Sequence, residues 1–115
     1  MRLQVKGRGI EVSESVKRYA ERKFGKLERQ LDDPDVELEL HVEGNPKIPD
    51  DHAAEAAIHS RRISLRARAS GPRFEAAIDA VVEKLERQAV RHRERRQRKP
   101  AHKTPPKAAQ APESD

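Results

Sequence analysis

No cysteine occurs anywhere in the chain, so disulfides, thiolate metal sites and cysteine nucleophiles are excluded together, and a reducing compartment is the expected setting. Tryptophan is also missing, and the aromatic side chains are Tyr19, Phe24 and Phe74 alone. Platforms on which nucleic-acid bases stack are therefore scarce. No run approaches the ~20 apolar residues of a membrane span. The opening MRLQVKGRG lacks the apolar stretch of a signal peptide, and a cytoplasmic protein is expected. Glycine is sparse too: Gly7-Arg8-Gly9 is too short for a phosphate-binding GxGxxG or Walker loop. With 34% of its 115 residues hydrophobic and 39% charged, the chain has material for one thin-cored domain.

What the chain does have is charge, unevenly placed. Residues 1–83 carry fifteen Lys/Arg against sixteen Asp/Glu, residues 84–99 eight against two, and residues 100–115 two against two. The basic excess behind the net charge of +5 therefore lies in one stretch, which makes it a property of a site and not of the whole surface.

Hydrophobic periodicity orders the rest. Leu3 and Val5 alternate with polar residues in a short strand that ends at the Gly7-Arg8-Gly9 turn. Ser13 then caps a helix whose apolar stripe is Val16, Ala20, Phe24, Leu27 and Leu31, stopped by Asp32-Asp33-Pro34. Asp35 to Glu43 alternates strictly, with Val36, Leu38, Leu40 and Val42 on one face. After a loop over 44–51, Ala54 to His59 and Ile63 to Ala69 form a hairpin around Ser60-Arg61-Arg62. Ser70-Gly71-Pro72 opens a last helix, with Pro in its first position and Phe74, Ala77, Ile78, Val81, Leu85 and Ala89 buried. Its Arg-rich continuation, Arg91 to Lys99, has nothing left to bury. The predicted architecture is α+β: β-α-β-β-β-α, a four-stranded sheet with two helices packed on one face. Residues 1–98 make the domain, and 99–115, rich in Pro, Ala and Lys, a disordered tail. The open sheet face, with Glu37, Glu39, Glu43, Asp50, Asp51 and Glu55 on it and its loops, reads as acidic, and the helix side as basic.

Enzyme chemistry finds no purchase in these residues. Ser13 is accounted for as a cap, and the carboxylates of the second strand face water without an apolar pocket to raise a pKa. The five histidines contain no HxH or HExxH pair. A metal held between His41 and His59 across the open sheet face is conceivable, but solvated histidines are the simpler account, and His92, in line with the apolar stripe, reads as a half-packed ring. No catalytic site, metal, cofactor or small-molecule substrate is expected. The Arg run asks for more. Cations at a helix C-terminus gain about 0.3–1 kcal/mol from the dipole, which explains two charges but not eight; a polyanion explains them, and nucleic acid comes first because Lys and Arg release its counterions. With few aromatics, binding is expected to backbone and shape, from the helix side. A general double-stranded RNA or DNA binder shares these features. An Arg-rich helix lying on acidic membranes is a further alternative, weakened by the lack of Trp, Phe or Leu over 91–99.

Two stretches carry a resemblance. GRGIEVSESVKRYAERKFGKLER and AAIDAVVEKLERQ, Ala76 to Gln88, are similar to the strand-turn-helix start and the second helix of the short-form hibernation-promoting factor family, the ribosome-associated inhibitors. The similarity spans roughly residues 2–96. It implies the same β-α-β-β-β-α fold and a non-enzymatic translation inhibitor. Such a protein binds the small ribosomal subunit and its ribosomal RNA in the decoding channel, excludes messenger RNA and A- and P-site transfer RNA, and stores inactive ribosomes in stress or stationary phase. By matched position it implies RNA contacts at Lys23, Lys26, Lys84, Arg87 and Arg91, and the Arg run extends the set to Arg95 and Arg98. Arg73, Glu75 and Gly9 depart from the family pattern. The C-terminal domain with which long-form members pair ribosomes has no counterpart in this sequence, so the resemblance does not imply ribosome dimerisation by that route, and a monomer off the ribosome is expected.

Overall fold

A computed structural model describes residues 1–44 and 49–97. Its elements are β1 (Arg2–Gly7), α1 (Glu14–Gly25), a 3-10 segment (Lys26–Gln30), β2 (Asp35–Val42), β3 (His52–His59), β4 (Ser64–Gly71) and α2 (Phe74–Gln97). The expected order is thus present. The strands lie in sequence order, with β1 and β2 parallel and the other pairs antiparallel. Side-chain alternation gives each strand one apolar face. Val36, Leu38 and Leu40 from β2, Ala54, Ala56 and Ile58 from β3, and Leu65 from β4 meet Val16, Ala20 and Phe24 of α1 and Ala77, Ile78, Val81 and Leu85 of α2 in a single core. The many alanines of β3, weak strand formers in isolation, find their use here: small side chains let the helix layer approach the sheet. Phe24 is wholly buried, and its truncation to Ala costs about 3–5 kcal/mol.

Helix ends differ from the sequence reading in three places. The first apolar stripe does not run through one α-helix. Ser13 Oγ accepts from Val16 N at 3.2 Å as the expected cap, but the α-helix ends at Gly25 and tightens into the 3-10 segment. Leu27 stays buried there and Leu31 is already extended. Asp33 then takes φ 49°, a left-handed conformation that Asp tolerates, and turns the chain into β2.

Pro72 is not the first residue of α2. Gly71 remains in the sheet opposite His52, where a Cβ would come within 2.9 Å of the Ala76 Cβ. The strand therefore runs on to Gly71, and the helix starts at Phe74 with Ala77 N donating to Arg73 O at 3.2 Å.

Packing of α2 also does not stop at Ala89. His92 is half-buried, as its place in the stripe suggested, and Arg93 Nη1 donates to Gln30 Oε1 at 2.8 Å. The overhang begins after Arg93. The expected tail, 99–115, lies outside the described residues.

Candidate nucleic-acid interface

Alternation along the strands puts three charged rows on the open sheet face, and the register decides what each row contains. One of them reads Lys6, Glu39, Glu55, Arg68 across β1 to β4. The face is therefore not acidic, as the sequence alone suggested: its negative centre is flanked by cations of the two edge strands. Three arginines of this face are paired. Arg68 binds Glu55 at 3.1 Å and also Glu43, Arg8 lies 3.7 Å from Glu39, and Arg2 meets Asp35 at 2.7 Å. That last hydrogen bond, more than the charge attraction, holds the Asp35 carboxyl below the usual carboxylate range and raises the Arg2 guanidinium. His41, buried on this face, sits between Arg8 (3.2 Å from Nδ1) and Glu43 (3.1 Å from Nε2). His59 is at the other end of the sheet, opposite Asp35, so the two histidines do not meet. Among the described residues no cluster of His, Asp or Glu has the arrangement to hold a metal ion.

The helix layer is built differently. Tyr19 and Lys23, one turn apart on α1, both reach Asp79 of α2: the phenol donates to its two oxygens at 2.7 and 2.9 Å, and Lys23 Nζ stands 3.2 Å away. Arg22 and Lys23 also lie over the Tyr19 ring, 5.2 and 5.6 Å from its centre. The hydrogen bond to Asp79 is the main cause that pushes the Tyr19 phenol above its ordinary range. Outside this clamp, none of the ion pairs or side-chain hydrogen bonds among the described residues engages Arg18, Lys26, Arg29 or Arg87. All four are exposed. Their charge faces water with no internal partner to satisfy it.

The residues expected to touch RNA fall into three groups. Lys26, Arg87 and Arg91 are exposed on the helix layer, the last two beside Val90 in a shallow depression edged by Glu83 and Glu86. Lys23 and Lys84 have internal partners: Lys23 in the Asp79 clamp, and Lys84 at the Arg68 carbonyl, 2.8 Å away. Gln88, one turn on, reaches the Arg66 carbonyl at 3.2 Å, so the two residues tie α2 to β4. Arg95 lies in α2, and Arg98 lies outside the described residues. The sequence reading missed Asp79 as the organiser of α1's basic face. Its signal was available in the spacing, since Asp79 falls on the flank of the α2 stripe that an adjacent helix would meet. It also missed Arg62, which the β3–β4 turn brings beside the end of α2.

Comparison with known proteins agrees with this architecture. A family model described as sigma 54 modulation protein / S30EA ribosomal protein matches residues 3–97. The chain is 32% identical over 96 residues to a ribosome hibernation promoting factor of Escherichia coli, covering 83% of this chain and 96% of that one. It is 29% identical over 110 residues to a ribosome hibernation promotion factor of Lactococcus lactis, covering 91% of this chain but 56% of that one. The chain thus spans about half the length of some of the curated relatives it matches. Among solved structures, the N-terminal domain of Thermus thermophilus Protein Y superposes with a TM-score of 0.70 at 24% identity, covering 80% of this chain and 99% of that one. That likeness shows the fold: four strands and two helices in the same α+β order.

Proposed function

Since the chain belongs to the sigma 54 modulation protein / S30EA ribosomal protein family, we propose that it binds the ribosome and inhibits translation without chemistry of its own. Its helix layer lies on RNA of the small subunit in the decoding channel. There it takes the space of messenger RNA and of A- and P-site transfer RNA, and holds ribosomes idle. One observation carries this reading: the helix layer gathers exposed cations that nothing on the domain neutralises. On the open sheet face Arg2, Arg8 and Arg68 are paired with carboxylates and Lys6 and Arg66 stand alone, whereas Arg18, Lys26, Arg29 and Arg87 on the helix layer all have no acidic partner among the described residues. Exposed cations gathered on one side of a small domain gain most from a polyanion, whose condensed counterions they release. Lys23, Lys84, Arg95 and Arg98 extend the proposed contact surface. The likeness to relatives named as ribosome hibernation factors supports ribosomal RNA as the polyanion in this proposal. Residues 1–98 suffice for this in the proposal, with 99–115 an appended tail.

Sedimentation of a stationary-phase lysate through a sucrose gradient tests it. The protein is expected with small subunits and intact ribosomes, and purified protein is expected to stop a cell-free translation reaction. A pool that stays at the top of the gradient at physiological salt defeats the proposal.

A further inference from the structure

Three segments meet where α2 leaves the domain: the 3-10 segment with its exit, the β3–β4 turn, and the α2 turn from Ala89 to Arg93. They enclose a hollow of about 370 Å³. Its apolar wall is Leu31, Ile63 and Ala89, and its rim holds Arg62, Arg93 and Gln30. The wall comes from the domain core, because Leu31 and Ile63 pack against the buried cluster that contains Ala89. The rim is held in place by the backbone. Arg61 N donates to Asp32 O at 3.2 Å, joining the turn to the exit of the 3-10 segment, and Ser60 N donates to Ile63 O at 3.0 Å within the turn. Arg93 is fixed on Gln30 at 2.8 Å. Arg62 is held more loosely, its Nε 3.4 Å from Asp32 Oδ2 with both side chains more than half exposed.

We infer that this hollow receives one unpaired nucleotide of the bound RNA, its base against Leu31 and Ile63 and its phosphate on Arg62 and Arg93. The inference rests on the RNA-binding reading and adds a second contact region to it, away from the outer face of the helices. A space of this size with an apolar wall and a few convergent polar groups is the usual form of a small-ligand site. Two guanidiniums on the rim against the single carboxylate of Asp32 favour an anion, and planar Arg forks match phosphate. The loose Arg62–Asp32 pair can exchange its carboxylate for a phosphate at little cost, since exposed ion pairs are worth little. Gln30 and Ser60 supply donors and acceptors for a base edge. Unpaired bases splayed from a strand are the form in which RNA is read by such pockets. None of the chain's three Phe and Tyr residues lines the hollow, and the surface available to a base is the aliphatic wall beside the half-buried His92 ring.

Two measurements decide it. In the first, NMR signals of the Leu31 and Ile63 methyl groups and of the Arg62 and Arg93 side-chain N–H groups are followed while adenosine 5′-monophosphate, adenosine or inorganic phosphate is added to the full chain. The monophosphate is expected to shift both residues saturably, adenosine less, and phosphate only the Arg62 and Arg93 signals. No saturable shift with the monophosphate, or equal shifts with phosphate alone, overturns the inference. In the second, small-subunit affinity is compared for the wild type, Ile63→Asp and Arg62→Glu. Each variant is expected to lose about tenfold, in the range of one base contact. Arg62 is exposed, so Arg62→Glu keeps the test sound even if Ile63→Asp folds poorly. Wild-type binding with unchanged affinity in both variants overturns the hollow as an RNA site and leaves the helix-layer reading standing; in that case a monophosphate response assigns the hollow to a free nucleotide. Wild-type protein that does not bind the subunit removes the RNA reading itself.

Discussion

The two faces of this domain carry similar kinds of charged residues and pair them to different extents. On the open sheet face the register sets Lys6, Glu39, Glu55 and Arg68 in one row and closes Arg68 onto Glu43 and Glu55. Arg2, Arg8 and Arg68 are consumed where they stand, and Lys6 and Arg66 remain exposed. On the helix layer one acid, Asp79, collects Tyr19 and Lys23, while Lys26 and Arg87 project into water. Net charge alone would assign both faces a modest role; the pairing pattern separates a partly self-paired surface from one that favours an external partner.

The broadest test of that contrast is salt. If five to eight helix-layer cations sit on phosphates, each contributing a slope of about 0.7–0.9, a fourfold rise in monovalent salt is expected to weaken subunit binding by roughly 10² to 10⁴. Filter binding or sedimentation across a salt series measures it, and a shallow dependence would remove the phosphate contacts. Charge reversal localises the effect. Arg87→Glu is expected to lower affinity about tenfold or more and relieve inhibition of cell-free translation. Glu39→Lys is expected to leave both within about a factor of two, because it alters a face whose charges answer to one another. Equal losses from the two variants would mean that total charge, not a positioned surface, does the binding.

Asp79→Asn sharpens the comparison by moving two quantities in opposite directions. Loss of the clamp is expected to cost about 0.5–1 kcal/mol, read as a fall of a few degrees in Tm by calorimetry. Release of Lys23 and removal of a negative charge from between the helices are expected to strengthen RNA binding a few-fold. The smallest effect belongs to the sheet face. Asp35, whose carboxyl is held below the usual range by Arg2, contributes its stability above the unfolded carboxylate pKa and loses it as pH falls through the lower, folded value. Asp35→Asn is therefore expected to destabilise slightly at neutral pH. The difference should vanish in denaturant titrations repeated at progressively acid pH.

Much of this contrast was legible in the sequence. Strict alternation in β2 and the four-and-three spacing of α2 located the core, because burial repeats with the period of the element that makes it. Hidden were the features that depend on which residues become neighbours across elements. Alternation puts Arg68 on the outward face of β4, but only the register sets it opposite Glu55. The chain looked free beyond Ala89 because Arg93 finds its partner, Gln30, sixty-three positions earlier. The switch from α to 3-10 geometry after Gly25 was likewise concealed, since Leu27 is buried by either geometry. As for the proposed RNA contacts, the family resemblance implied most of them by matched position but could not show that Lys23 and Lys84 already hold internal partners.

Lys84 and Gln88 have one more consequence. The outer side of β4 is the last strand of an open sheet, a row of backbone groups that could template another chain. By occupying the carbonyls of Arg68 and Arg66, these two side chains leave a foreign strand two acceptors short on an eight-residue strand. A substitution at Lys84 intended to probe RNA contact therefore also uncovers a site for self-association. Lys84→Glu should be examined for soluble aggregates before any loss of binding is read as lost contact with phosphate.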